Sequence, residues 1–222
     1  MLTEIDRKRI GEAVANAEAR SAGEIVTIIT PRSDTYHDAA LAWSASIAFL
    51  ALAVMDIFSQ QTLGLVERTL GLWAHQWTPR AVLGIALTAA ITAFAAMYAL
   101  MLWRPLRFML TPAPIKHARV HARALTCFRV GAESRTTGHT GILIYLSLAE
   151  RRAEIIADEA IAAKVTPEVW GDAMQALLSG IRAGRTGDGM VGAVELVGKV
   201  LAEHFPRAEN DKNELPDRLI EI

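Results

Sequence analysis

Ala81–Trp103 reads AVLGIALTAAITAFAAMYALMLW, with no charged side chain, and Ala39–Phe58 reads AALAWSASIAFLALAVMDIF, with one acid, Asp56, near its end. At a rise of about 1.5 Å per residue, a helix of about 23 residues crosses a hydrocarbon core of about 30 Å with some tilt. The second stretch also has ends suited to a membrane boundary. Trp77, Thr78, Pro79 and Arg80 precede it, and Tyr98, Trp103, Arg104 and Arg107 close it. Aromatic and basic residues are the usual interfacial anchors. Ser44 and Ser46 interrupt the first stretch, while Asp56 sits close enough to its end to reach the interface. A helix apolar on all sides is either a long buried helix of a soluble core or a membrane span, and two such stretches, paired and flanked by tryptophan, point to lipid. The pattern predicts two membrane spans, at 39–58 and 81–103.

Basic residues then set the orientation. The connecting segment Ser59–Arg80 holds only Arg68 and Arg80, whereas Arg7, Lys8, Arg9, Arg20 and Arg32 precede the first span. Arg104, Arg107, Lys116, Arg119, Arg123, Arg129 and Arg135 follow the second. Such a bias places both termini in the cytoplasm and turns the connection outward, with Leu63, Leu65, Leu70, Leu72, Trp73 and Trp77 lying in the outer interface. Met1–Glu12 (MLTEIDRKRIGE) has no apolar core and no small-residue cleavage site, so no secretory signal is expected. The lone Cys127 forbids an intrachain disulfide, in keeping with a reducing compartment. The expected location is a bacterial inner membrane, with the lipid bilayer itself as one partner.

Outside the spans about 155 residues remain, enough for one domain with a real core. The chain as a whole is 52% hydrophobic with a formal net charge of −1. Thr3–Arg20 reads as a helix capped by Thr3 with Asp6 three residues on, its stripe being Ile5, Ile10, Ala13, Val14 and Ala17 and its end marked by Gly23. Glu24–Thr30 (EIVTIIT), stopped by Pro31, reads as a buried strand. After the spans, Pro105, Pro112 and Pro114 punctuate the chain before a basic amphipathic helix from about Ile115 to Arg129. Gly141–Leu148 and Ala153–Asp158 read as an antiparallel hairpin around Ala149–Arg152. Thr166-Pro167 opens a helix reaching Gly184, and another runs from Asp188 to Phe205 before Pro206. The expected fold class is α/β, a small mixed β-sheet with helices on both faces, interrupted by a two-helix transmembrane hairpin. Its divisions are 1–38, the hairpin 39–104, 105–206, and a charged, mobile tail 207–222. Residues 24–30 are expected in the same sheet as 141–148.

Thr140-Gly-Ile-Leu-Ile-Tyr-Leu-Ser147, Glu150-Arg151 and Ile156-Ala157-Asp158 together resemble the core signature of the TPM domain. Gly23-Glu24-Ile25-Val26, Trp170 and the Gly184…Gly187-Asp188…Gly192 spacing are similar to it as well. The resemblance covers nearly all of the soluble part and points to the bacterial membrane subgroup in which a hairpin splits the domain. It implies a small α/β fold. Family members are associated with weak acid phosphatase activity, calcium binding, photosystem repair and receptor association, so it implies a fold more firmly than a function.

Phosphatase chemistry needs an activated nucleophile or a metal cluster. The arginine that a Cys-phosphatase loop places six residues after its thiol is absent, since position 133 is Glu133. No Asp-x-Asp pair follows a strand, and Gly-x4-Gly-Lys-Ser/Thr and Gly-x-Ser-x-Gly are both missing. Carboxylates remain as candidate ligands for a divalent cation. Asp158 and Glu159 end a strand, and Asp188 sits between Gly187 and Gly189 at a helix start. The plainer reading makes Asp188 a cap and Asp158 a turn residue. His117 and His121, four apart on a helix, suit zinc but lack a third ligand in the sequence nearby, and with Lys116, Arg119 and Arg123 they suit acidic headgroups. His139 reads as a loop residue and Glu150-Arg151-Arg152 as a solvated turn. No catalytic residue and no resident cofactor are assigned. Aromatic interleaving is absent, so nucleic acid is not expected. The expected role is a non-catalytic binding or assembly module for a membrane-protein partner, the alternative being a metal-assisted acid phosphatase using Asp158 and Asp188. The basic run from Arg104 to Arg129 is expected along the inner membrane surface. Val120, Ala124, Cys127 and Phe128 in turn offer a stripe for packing that helix on the sheet.

Overall fold

Two strands far apart in sequence pair edge to edge through all seven residues. β1 (Glu24–Thr30) and β2 (Gly141–Ser147) run parallel, in register from Glu24 opposite Gly141 to Thr30 opposite Ser147. β3 (Arg152–Ala157) turns back antiparallel along β2, and β4 (Ile220–Glu221) pairs parallel with β1, giving the order β3-β2-β1-β4. The computed structural model describes residues 2–71, 77–131, 140–207 and 218–222. It divides the chain into two compact units, Met1–Asp34 with Ala113–Ile222, and Thr35–Pro112.

In the first unit, alternation along the strands feeds two cores. Ile25, Ile29, Ile142, Ile144 and Leu146 face α1 (Glu4–Glu18), α8 (Gly171–Arg182) and α9 (Thr186–His204). Val26, Ile28, Leu143 and Tyr145 face α6 (Ala113–Gly131) through its Val120, Ala124 and Phe128. The sheet is therefore mixed and covered on both faces. Buried on both faces, β1 and β2 need continuous apolar runs, which explains EIVTIIT and GILIYLS. At the start of α1, Thr3 and Asp6 form a reciprocal capping box. Ile5 is not in the buried stripe but 72% exposed. Five residues at about 100° each set it about 140° away from Ile10. Gly23 does not cap the helix either. A β-carbon there would lie 2.9 Å from Leu201, so the glycine lets the chain pass beneath α9.

The expected tail is corrected at its end. Ile220 and Glu221 belong to the sheet, Ile222 N donates to Ile29 O at 3.1 Å, and Thr30 Oγ1 donates to Ile222 O at 2.9 Å. Arg7 fixes this strand with a fork, Nε to Glu221 Oε1 at 3.0 Å and Nη2 to Oε2 at 3.2 Å. Residues 208–217 of that tail, with Leu72, Trp73, Arg135 and His139, lie outside the described residues, as does the side chain of Leu70.

The second unit holds α2 (His37–Ile57), α3 (Ser59–Leu70), α4 (Pro79–Met101) and α5 (Arg104–Leu110). α2 and α4 are long and apolar enough to cross a membrane. They pack on each other, and their less exposed positions include small residues, Ser44, Ala48 and Ala51 in α2 and Ala86, Ala89, Ala90 and Ala93 in α4, beside larger ones such as Ile47, Leu52, Ile85 and Phe94. Close approach through small residues is how helices associate in lipid. The rest of their surface stays exposed, including Phe49 at 72% and Leu83 at 70%. α5, expected with the second half of the α/β domain, belongs here. Phe108 meets Tyr36 edge-on at 6.0 Å, Arg107 Nη1 donates to His37 Nδ1 at 3.1 Å, and Trp43 Nε1 donates to Leu110 O at 3.1 Å. These contacts put the chain leaving α4 beside the start of α2, so the two long helices run antiparallel.

Two predictions follow from this packing. A β-carbon on Gly198 would lie 2.5 Å from Ala17 Cβ. Overpacking there forces α1 and α9 apart, so Gly198→Ala should cost about 1–3 kcal/mol, read as a lowered melting midpoint of the full chain in detergent. An unchanged midpoint contradicts this packing. The Glu221 carboxyl is held below the ordinary range by its hydrogen bonds from Arg7. Its contribution is present above the unfolded value of about 4.3 and lost as pH falls through the lower folded value. The protection factor of the Ile222 amide, bonded to Ile29 O, should therefore fall on acidification through that range once the intrinsic pH dependence of exchange is divided out, and Glu221→Gln should remove that fall.

Candidate functional site

Glycine and charge meet at the start of α9. Gly184, with φ of +71°, closes α8, and a β-carbon on Gly187 would lie within 2.4 Å of the Asp6 carboxylate. Asp6 from the first turn of α1 thus packs straight onto the α9 backbone. The surrounding cleft, about 370 Å³, is lined by Leu2, Asp6, Arg9, Leu148 and Gly184–Asp188. Asp188 is not the cap expected from sequence. The helix opens at Thr186 with Arg185 before it, so Asp188 lies in the first turn. There its Oδ1 accepts from Arg9 Nη1 at 2.7 Å, and Arg185 Nη1 stands 3.8 Å from Oδ2. The Arg9 guanidinium, bonded to Asp188, has its proton affinity raised. Two arginines thus compensate the one candidate carboxylate in this cleft.

The other two candidates lie elsewhere. Asp158 N donates to Gly141 O at 2.8 Å, finishing the β2–β3 ladder, and its Oδ1 accepts from Glu159 N at 2.9 Å to open the short helix α7 (Glu159–Ala162). Asp158 is buried and Glu159 is exposed in the first turn of that helix. Neither lines the cleft of Asp188. Among the described residues, no three His, Cys, Asp or Glu side chains converge as a metal site.

His117 and His121 project from α6 toward β3, where the sequence reading missed a partner. Glu154 Oε2 is 3.3 Å from His121 Nδ1, and its Oε1 is 3.8 Å from His117 Nε2. Arg152 Nη1 donates to His117 Nδ1 at 2.9 Å, setting a cation beside the imidazole. The signal for Glu154 was strand alternation. Ile156 faces α6, so Glu154, two residues earlier, must do so too. Cys127 is half-buried on the same helix, and burial pushes its thiol up. That disfavours the thiolate a nucleophile needs.

The turn between β2 and β3 is not simply solvated. Glu150 is 9% exposed. It accepts from Ser147 Oγ and from Ser33 N at 3.3 Å, while Ser33 Oγ and the Tyr145 hydroxyl share a bond of 2.9 Å. Burial pushes the Tyr145 phenol up. Arg151 alone takes the turn's left-handed conformation, φ +49°. These residues latch the end of β1 to the β2–β3 turn, joining positions 117 apart in the chain. No nucleophile–base pair emerges among them.

No family model matches the chain, and no curated protein matches it. The NMR structure of the BA42 protein from the psychrophilic bacterium Bizionia argentinensis superposes with a TM-score of 0.57 at 17% identity, covering 100% of this chain and 96% of that one. That likeness shows the fold alone. It agrees with a mixed α/β architecture and carries no site residue across.

Breaking the latch gives a direct test of its role. Glu150→Ala leaves buried Ser147 without this acceptor, and losing such a partner costs about 1–3 kcal/mol. Glu150→Gln keeps an acceptor and should cost less. A Glu150→Ala midpoint equal to that of the unsubstituted chain would show the cluster to be dispensable.

Proposed function

We propose that this chain is an integral protein of the bacterial inner membrane, anchored by α2 and α4, with a TPM-like domain that acts as a non-catalytic binding or assembly module. The observation that carries the anchor is the outer surface of the helix pair. Phe49, Leu83, Leu87 and Ile91 are all more than half exposed. Leaving such side chains in water forgoes about 1.5–3 kcal/mol each, which lipid would recover. In this reading the less exposed seam, small residues included, is the lipid-phase contact of the pair, and α3 lies in the outer interface, its end tied back by Trp77 Nε1 donating to Glu67 Oε1 at 2.7 Å. Arginine and lysine crowd the segments flanking the helices, which supports cytoplasmic termini. A membrane-protein partner is the natural target for a domain tethered at the bilayer surface.

What supports a non-catalytic role is the placement of the acids. Asp188 is compensated by Arg9 and Arg185, and Asp158 opens α7. A metal-assisted phosphatase would need these carboxylates around one ion.

Reporter fusions at Gly71 and after Ile222 should report opposite sides of the membrane, the second cytoplasmic. Both on one side would sink the two-span topology. Purified full-length protein should show no turnover of a phosphate monoester, with or without divalent metal, that depends on Asp158 or Asp188. Activity lost specifically in folded Asp158→Ala and Asp188→Ala variants would overturn the non-catalytic reading.

A further inference from the structure

We infer that the outward side of α6, with the groove beside it at Arg152, is a docking surface for anionic phospholipid headgroups. This rests on the membrane reading above and adds to it a second, electrostatic attachment made by the α/β domain itself.

The inner side of α6 is already used. Val120, Ala124 and Phe128 are buried against the sheet, so the helix turns its remaining sides outward. Those sides carry Arg119, Arg123 and Arg129, and no acidic residue occurs from Arg104 to Arg129. A helix face that is merely solvated usually mixes both signs of charge. Two apolar side chains stand among the arginines, Ile115 at 39% and Val130 at 69% exposure. Basic residues interleaved with exposed apolar ones suit the headgroup boundary of an anionic leaflet.

Beside the first turns of α6 lies a groove of about 600 Å³ lined by Ala113, Pro114, His117, Ala118, His121 and Arg152. Small apolar walls with a guanidinium and two imidazoles can admit a phosphodiester, the Arg152 fork being matched to phosphate oxygens. Among the described residues, three acids flank this surface. Glu154 lies against the two histidines, Asp34 Oδ2 is 3.1 Å from Arg119 Nε, and Glu150 acts on Lys116 from the β2–β3 turn. Connectivity favours the bilayer over a soluble anion as occupant. α6 begins at Ala113, shortly after the second long apolar helix ends at Met101, so the connecting chain keeps α6 within reach of a bilayer that this helix spans.

The test uses full-length protein in nanodiscs, with Cys127→Ser and a nitroxide on Thr126→Cys, an exposed α6 position. Collisions with a water-soluble relaxant are compared in phosphatidylcholine and in phosphatidylcholine mixed with phosphatidylglycerol. Docking predicts a fall of several-fold to roughly tenfold in the anionic discs only, reversed by high salt. Replacing Lys116, Arg119 and Arg123 together by glutamine should abolish that fall, Arg152→Gln should weaken it, and Arg119→Lys with Arg123→Lys should retain it. Release of the label by inorganic phosphate at low ionic strength would assign the surface to free phosphate and overturn the lipid assignment. Equal accessibility in both discs overturns docking. A second label at Leu87→Cys separates the readings. Contact with water there defeats the membrane anchor, whereas lipid contact there with an indifferent Thr126 label defeats the docking alone.

Discussion

The parallel pairing of β1 with β2 is the contact on which the rest of this structure depends. A parallel pair cannot be made by a tight turn and needs a crossover connection. Here that connection carries the whole of the second unit, Thr35–Pro112, together with α6. If the seven-residue register fails, α1 and α9 lose the floor they pack on, and α6 loses the opposite face. The core is therefore built from both ends of the chain at once, and an insertion of two long apolar helices is compatible with it because both ends of that insertion return to one side of the helix pair.

Buried polar groups reinforce this closure where apolar packing cannot. Ser33, Tyr145, Ser147 and Glu150 sit at the carboxyl ends of the parallel strands, where an α/β sheet commonly keeps its ligand sites. Here these groups hydrogen-bond to one another. A buried carboxylate is costly unless it is satisfied, and two donors from opposite halves of the domain satisfy this one. The cleft at the start of α9 follows the same logic. Asp6 packs onto Gly187 and Asp188 pairs with Arg9, so both carboxylates are committed to joining α1 to α9. In both places polar side chains close the domain by joining segments far apart in the chain.

The division of labour along α6 shows how one helix serves two environments. Its 3.6-residue period brings Val120, Ala124 and Phe128 onto one side for the sheet and sends the arginines elsewhere. Glu154 and Asp34 offset part of that charge at the flanks without placing an acid on the helix itself.

Local pattern was enough for much of this protein. The Thr3–Asp6 capping box, the two β-branched strand runs, the apolar helix pair and the helix stop at Gly184 each depend on neighbours a few residues away, and sequence carries those directly. The β2–β3 hairpin was legible for the same reason, since its turn is short. Tertiary structure alone decided the pairs that join distant segments. Arg9 with Asp188 is 179 positions apart, Arg7 with Glu221 is 214, and Ser33 with Glu150 is 117. No period marks such partners, because the geometry that joins them is made by packing after the elements exist. That is why Glu150 read as a solvated turn, Asp188 as a cap and the last residues as a tail. Each is placed by a side chain or strand that only the assembled sheet brings within reach.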